Sequence, residues 1–197
     1  MRSLLKSIGI WVMNQPRHMN IARTSSIYGP RWILNPERIT IGERSSILRY
    51  ARLEAYDRDS AGPLDGKIVI GDHVYIGYFC MICAMNRVEI GDGCVFSDRV
   101  YIADQSHGLD PDGPPIMRQP LNSKGPVIIG RRCFLGVGVC ILPGVTLGDH
   151  CIVGANAVVT KSFPAYSLIA GNPARLIKQY DPVTKQWLNS ATVGQRN

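Results

Sequence analysis

Between Ile129 and Val159 an aliphatic residue recurs every six positions: Ile129, Leu135, Ile141, Leu147, Val153 and Val159. Glycine follows at Gly130, Gly136, Gly148 and Gly154, with Leu142 the exception. Four positions after each aliphatic stands a small or medium, mostly apolar residue: Cys133, Val139, Val145, Cys151 and Ala157. Six is even, so in extended chain every repeat returns the same residue type to the same face, whereas a helical period would scatter it. A phase-locked run of this kind predicts a parallel β-helix. Three six-residue sides close each coil, and the aliphatics stack in ladders inside a triangular prism.

The same beat runs upstream. It begins at Ile27, Ile33 and Ile39 and restarts two residues later at Ile41, Ile47 and Leu53. A two-residue slip keeps strand parity, so Ile39 and Ile41 are both expected to point inward. Residues 57–66, with Gly62-Pro63 and Asp65-Gly66, read as an outward loop. The pattern resumes at Ile68 and Ile70, continues through Ile76 and Ile82, slips again at Val88/Ile90, and reaches Phe96 and Ile102. Then 27 residues separate Ile102 from Ile129 where six would continue the prism. The excess predicts an extruded loop over 103–126, stiffened by Pro111, Pro114, Pro115, Pro120 and Pro126. A long loop inside a compact repeat fold is usually functional.

Beyond Val159, Thr160–Pro164 is expected to end the ladder, and 176–188 to fold back over the prism as a short helix or strand. Leu4, Leu5, Ile8, Trp11 and Val12 recur at helical spacing, predicting an amphipathic helix over 3–13 that caps the prism or lies on a membrane. The expected organisation is all-β: an N-terminal cap and irregular first coil (1–40), the β-helix (41–163) and a C-terminal segment (164–197).

Composition adds limits. The chain has 197 residues, 45% of them hydrophobic, enough for a core in one domain. No apolar run approaches the roughly 20 residues that span a bilayer, and no leader pattern opens the chain, which points to the cytoplasm. The net charge is +7, and residues 1–52 hold nine Arg/Lys against Glu37 and Glu43, while the remainder balances. This basic quarter suits a solvated face or peripheral contact with the anionic inner face of a membrane; nothing suggests a nucleic-acid partner. Cys80, Cys94, Cys133 and Cys151 fall at the small inward hexad position and read as packing. No disulfide and no metal site are expected, since the Cys80/Cys83 pair lacks a second pair at zinc-binding spacing.

Chemistry is expected where the repeat breaks. His107 is the only histidine in the long loop, and a general base working near neutral pH is most often a histidine. His73 and His150 sit at matching outward hexad positions, and His18 in the irregular N-terminal segment.

Phe134-Leu135-Gly136, Ile141-Leu142-Pro143-Gly144-Val145-Thr146-Leu147-Gly148, Ala157–Lys161 and Ala170–Arg175, in that order, closely resemble the acetyl-CoA-dependent hexapeptide-repeat acyltransferases. The resemblance spans about residues 68–178 and is nearest to the sugar O-acetyltransferase branch, which includes galactoside and maltose acetyltransferases and enzymes that decorate surface polysaccharides. It implies a left-handed parallel β-helix assembled as a homotrimer with active sites between subunits. It also implies His107 as catalytic base, Val137 and Ala155 along the pantetheine arm of the coenzyme, Thr160 and Lys161 as the next contacts, and Arg175 and Lys178 near its phosphates.

Phe134 stands where a tryptophan is common, and Gly77 and Met85 where galactoside acetyltransferases hold acceptor-binding Asn and Asp, so the acceptor is not carried over. The implied reaction is direct transfer, His107 taking the acceptor's hydroxyl proton; Asp104, Asp110 and Asp112 are candidates to orient the imidazole, each also readable as a surface loop acid. No cysteine is expected to carry an acyl group. Rival readings are a different acceptor (antibiotic, amino acid or amino sugar) and a non-catalytic trimeric glycan-binding scaffold. A γ-class carbonic anhydrase would need three zinc-binding histidines, which the spacing does not offer.

Overall fold

Each hexad becomes a short strand and a corner, and each coil presses so closely on the next that the corner glycine has no room for a side chain. A Cβ on Gly130 would lie 2.6 Å from both Asp149 N and Asp149 Oδ1. The aspartate that crowds it caps a backbone amide one coil back: Asp149 Oδ1 accepts Arg131 N–H (2.8 Å). Asp72, Asp92 and Asp98 do the same for Glu43, Asp72 and Tyr78. A Gly-Asp pair recurring at the corners therefore closes hydrogen bonds that a tight turn would otherwise leave open.

The computed structural model describes residues 19–29 and 31–190. The helix expected over 3–13 lies outside them. The strands form three parallel sheets, the faces of a left-handed β-helix. The first face includes Ile39–Ile41, Lys67–Ile70, Arg87–Ile90 and Val127–Ile129, the second Tyr75–Ile76, Val95–Phe96, Phe134–Leu135 and Ile152–Val153, and the third Arg52–Ala55, Met81–Ala84, Tyr101–Ala103 and Cys140–Ile141.

Inside, Ile41, Ile70, Ile90, Ile129 and Leu147 stack in register on the first face. Ile47, Ile76, Phe96, Leu135 and Val153 do so on the second, and Leu53, Ile82, Ile102, Ile141 and Val159 on the third. All are buried. The two-residue slips behave as parity requires, with Ile39 and Ile41, and likewise Val88 and Ile90, both inward.

All six cysteines are free thiols. At one corner three of them also bond between coils: Cys94 Sγ donates to Gly130 O (3.0 Å), Cys133 Sγ to Gly148 O (3.2 Å) and Cys151 Sγ to Pro164 O (3.2 Å). Ser45 Oγ makes the equivalent bond to Gly71 O (2.8 Å), while Val74 in the same column fills the space without a donor.

The ladder runs further than the expected stop at 160–164. Phe163 bridges Leu147 in parallel, and Ser167–Gly171 pairs with Ile152–Val153, carrying Ile169 into the core. The chain then turns back as two antiparallel strands, Ala174–Asp181 and Gln186–Asn189, which extend the second face. Strands form here because His150, Tyr166, Tyr180 and Trp187 pack ring to ring up that end, with centroids 5.0–6.0 Å apart.

Candidate active site

The chain leaves the third face after Tyr101–Ala103 and returns at Val127. At the mouth of this loop Ser106–His107 pairs antiparallel with Leu121–Asn122, so a two-stranded ribbon carries His107, which is exposed. Asp104 anchors the ribbon. Its carboxylate is fully buried and accepts three amides of the preceding coil: Met85 N–H (2.7 Å), Asn86 N–H (2.8 Å) and Arg87 N–H (2.7 Å). Ser123 Oγ closes the mouth by donating to Asp104 O.

Asp104 is thus no surface acid and does not orient the imidazole. Asp110 Oδ1 accepts the Asp112 amide (3.0 Å), and among the described residues none of the three acids bonds to His107. The 57–66 loop supports the ribbon from the side: Asp59 Oδ2 accepts Leu121 N–H (2.8 Å), and that bond together with the Ala61 amide holds the Asp59 carboxyl below its usual range.

Beneath the ribbon lies a cleft of about 680 Å³. Ser106, His107, Asn122 and Lys124 form one bank; Met81, Cys83 and Tyr101 form the floor, with Arg52, Glu54 and Tyr56 at one end and Leu142, Pro143 and Thr160 at the other. His107 and Thr160 therefore share one cavity.

A buried acid was not anticipated there. The Glu54 side chain is 3% exposed, and its carboxylate accepts Arg52 Nε–H (2.6 Å), Tyr56 Oη–H (2.7 Å) and Cys83 Sγ–H (3.6 Å). Burial pushes the Glu54 pKa up, but the Arg52 and Tyr56 donors outweigh it and hold the group below the glutamate range. Burial, then the Glu54 hydrogen bond, pushes the Tyr56 phenol well above its ordinary value. Burial and the Glu54 charge push the Cys83 thiol up to about 12. A cysteine therefore does line the cleft, contrary to expectation, but at neutral pH it is a thiol and a poor nucleophile.

Because the Glu54 pKa is depressed on folding, its stabilising contribution is fully present above the unfolded value of about 4.3 and is lost as pH falls through the folded one. The stability advantage of the wild type over Glu54→Gln should shrink on acidification below about pH 4.3. Urea titrations of both proteins across that range measure it; parallel curves would contradict the assignment.

The remaining expected contacts lie on another corner. Val137 and Ala155 stand on consecutive coils between the second and third faces, joined by Asn156 N–H donating to Val137 O (2.8 Å). Their own amides meet no acceptor among the described residues, since no aspartate stands on the coil above to cap them as Asp98 caps Tyr78. Gly154 donates to Ile169 O (2.8 Å), and Ala170 pairs with Arg175, so Arg175 continues this edge toward the C-terminal end. Lys178 is further along the same strand, opposite Leu168. Lys161 follows Thr160 on the His107 side, its Nζ 5.6 Å from the centre of the Phe163 ring. Within one chain, then, His107 and Thr160 share the cleft, with Lys161 next in sequence but turned onto Phe163, while Val137 and Ala155 stand on a different corner, from which the strand carrying Arg175 and Lys178 continues.

Residues 126–161 match the family described as the hexapeptide repeat of succinyl-transferase. WbbJ of Escherichia coli (strain K12), provisionally named a lipopolysaccharide biosynthesis O-acetyl transferase, is 36% identical over 166 residues, 80% of either chain. The chain belongs to the hexapeptide-repeat acyltransferases. The family, fold and enzyme class implied by the resemblance are thereby borne out. WcaF of the same organism, provisionally named a colanic acid biosynthesis acetyltransferase, is 33% identical over 113 residues, 57% of this chain and 59% of that protein. Among solved structures, AntD, an N-acyltransferase from Bacillus cereus in complex with dTDP and 3-hydroxybutyryl-CoA, superposes with a TM-score of 0.70 over 93% of this chain and 90% of its own, at 22% identity. At that identity the likeness is one of fold.

Proposed function

We propose that this protein transfers an acetyl group from acetyl-CoA to a hydroxyl of a sugar in surface polysaccharide or glycan biosynthesis, with His107 as the base. The observation that carries the reading is a ribbon-held histidine over a closed-floor cleft, in a family member similar to proteins named for lipopolysaccharide and colanic acid acetyl transfer. His107 takes the acceptor's O–H proton as that oxygen attacks the thioester carbonyl, then returns it to the departing coenzyme thiolate as the C–S bond breaks. A backbone N–H stabilises the oxyanion between the two steps.

The free amides of Val137 and Ala155 suit the amide-rich pantetheine arm, and Arg175 and Lys178 suit the phosphates at its far end. Thr160 and Lys161, on the His107 side, meet the arm between them. A coenzyme shared by two chains would bring the two corners to one site. A homotrimer is the closed arrangement that does so, the second face of one chain against the third face of the next. The second face is prepared for burial: Tyr75, Val95 and Phe134 form an outward apolar column, 39–43% exposed. Phe134 is then a wall contributed by the neighbour, being absent from its own chain's cleft.

We place the enzyme in the cytoplasm, with the basic N-terminal quarter available to the inner membrane face; no helix among the described residues is long and apolar enough to cross a membrane. The test is thiol release from acetyl-CoA with a panel of sugars and amino sugars, combined with light scattering. Saturable, hydroxyl-dependent release by a species of about three chain masses is expected. A monomer with full activity, or release only with amino sugars, would overturn this reading.

A further inference from the structure

The ion pair at the end of the cleft is out of keeping with the surface that carries it. On the outside of the third face, Arg52 is in register with Trp32, Met81, Tyr101, Cys140 and Val158, successive members of one column. Glu54 shares the next column with Leu34, Cys83 and Ala103. Every other member of both columns is uncharged, so among the described residues Arg52 and Glu54 are the charges of these two columns.

An ion pair with a buried member rarely improves on apolar packing for stability, because desolvation of the buried ion offsets the attraction. The arrangement here is also lopsided. Glu54 is fully used, by Arg52, Tyr56 and Cys83, and is 3% exposed, while the Arg52 side chain is 51% exposed. The guanidinium bonds Glu54 through Nε alone; among the described residues its two Nη groups have no partner. Glu54 thus pins a guanidinium whose forked end stays open, the geometry suited to two oxygens of a phosphate or carboxylate. Lys124, on the opposite bank, adds a second positive charge to the same cavity.

We propose that Arg52, held by Glu54, is the anion-binding group of the acceptor subsite, so that the accepted sugar carries a phosphate, diphosphate or carboxylate beside its reacting hydroxyl. This rests on reading the cleft as the acceptor site, and it sets the acceptor class that the family resemblance leaves open. Arg52 fixes position and specificity, and His107 moves the proton.

The experiment is calorimetric titration of CoA-saturated protein, so that the coenzyme's own phosphate contacts are filled, with inorganic pyrophosphate and with methyl glucuronide at constant ionic strength. The wild type is expected to bind at least one probe, and whichever binds tighter tells a phosphate source from a carboxylate one. The paired substitution R52Q/E54Q, which leaves no unpaired buried charge, should weaken that binding at least tenfold while CoA affinity and melting temperature hold. R52K keeps the charge but loses the fork and should fall between. Wild-type binding of neither probe, or equal binding by wild type and R52Q/E54Q, overturns the proposal.

Thiol release with matched neutral and anionic sugars separates this from the wider reading. Probe binding lost in R52Q/E54Q, without transfer to any acceptor, leaves the anion site standing and the transferase reading failed. Equal transfer to neutral and anionic sugars does the reverse.

Discussion

Replacing His107 with alanine is expected to lower kcat by about 10²–10⁴, the usual worth of a positioned general base, with little change in acetyl-CoA affinity or melting temperature. The side chain is exposed on the Ser106–His107 ribbon and belongs to none of the aliphatic ladders, so its removal opens no core cavity. Three measurements on one preparation decide the matter: single-turnover acetyl transfer, coenzyme binding by calorimetry, and thermal unfolding. Added imidazole should restore part of the rate, because the ribbon that positions the ring is held by Asp104, Ser123 and Asp59 and survives the substitution. Full activity in the variant would move the base elsewhere on the loop or onto a neighbouring subunit.

What was legible in the sequence follows from parity. Period six fixes which residues face inward, so it assigns Ile70, Ile90, Ile129 and Leu147 to one ladder, and Phe96 to another between Ile76 and Leu135. Parity also held an unread signal at Asp104. It stands two residues after Ile102, on the inward phase that Ala84 and Ala55 occupy after Ile82 and Leu53. An acid on an inward phase has to meet donors, and Asp104 meets them in the amides of the coil below.

Parity does not reach Glu54. Its phase is outward and reads as solvated, and what encloses its carboxylate is Arg52, Tyr56 and Cys83 of the next coil, an arrangement that no local pattern encodes. The C-terminal strands were ambiguous for a similar reason. Tyr180 and Trp187 have no period of their own, and the strands that carry them are braced by a ring stack that reaches His150 through the turn residue Tyr166.

The reassignment of Asp104 carries the other large expected effect. A buried carboxylate accepting three amides makes charge-assisted bonds, each worth about 1.5–3 kcal/mol, and their loss leaves donors open under the base of the loop. The three share one anion and are not additive, so Asp104→Ala should destabilise the protein by about 3 kcal/mol, large for a single substitution. Asp104→Asn keeps one acceptor oxygen, enough for Met85 or for the Asn86 and Arg87 pair but not for both, and should lose roughly half as much. Urea unfolding at fixed protein concentration gives the stabilities, and hydrogen exchange at Met85, Asn86 and Arg87 localises the loss. Activity should fall in proportion to opening of the ribbon and recover where stabilising osmolyte closes it, because the carboxylate holds backbone and not the imidazole. A variant with wild-type stability and protected amides but a collapsed kcat would mean that Asp104 acts on His107 after all.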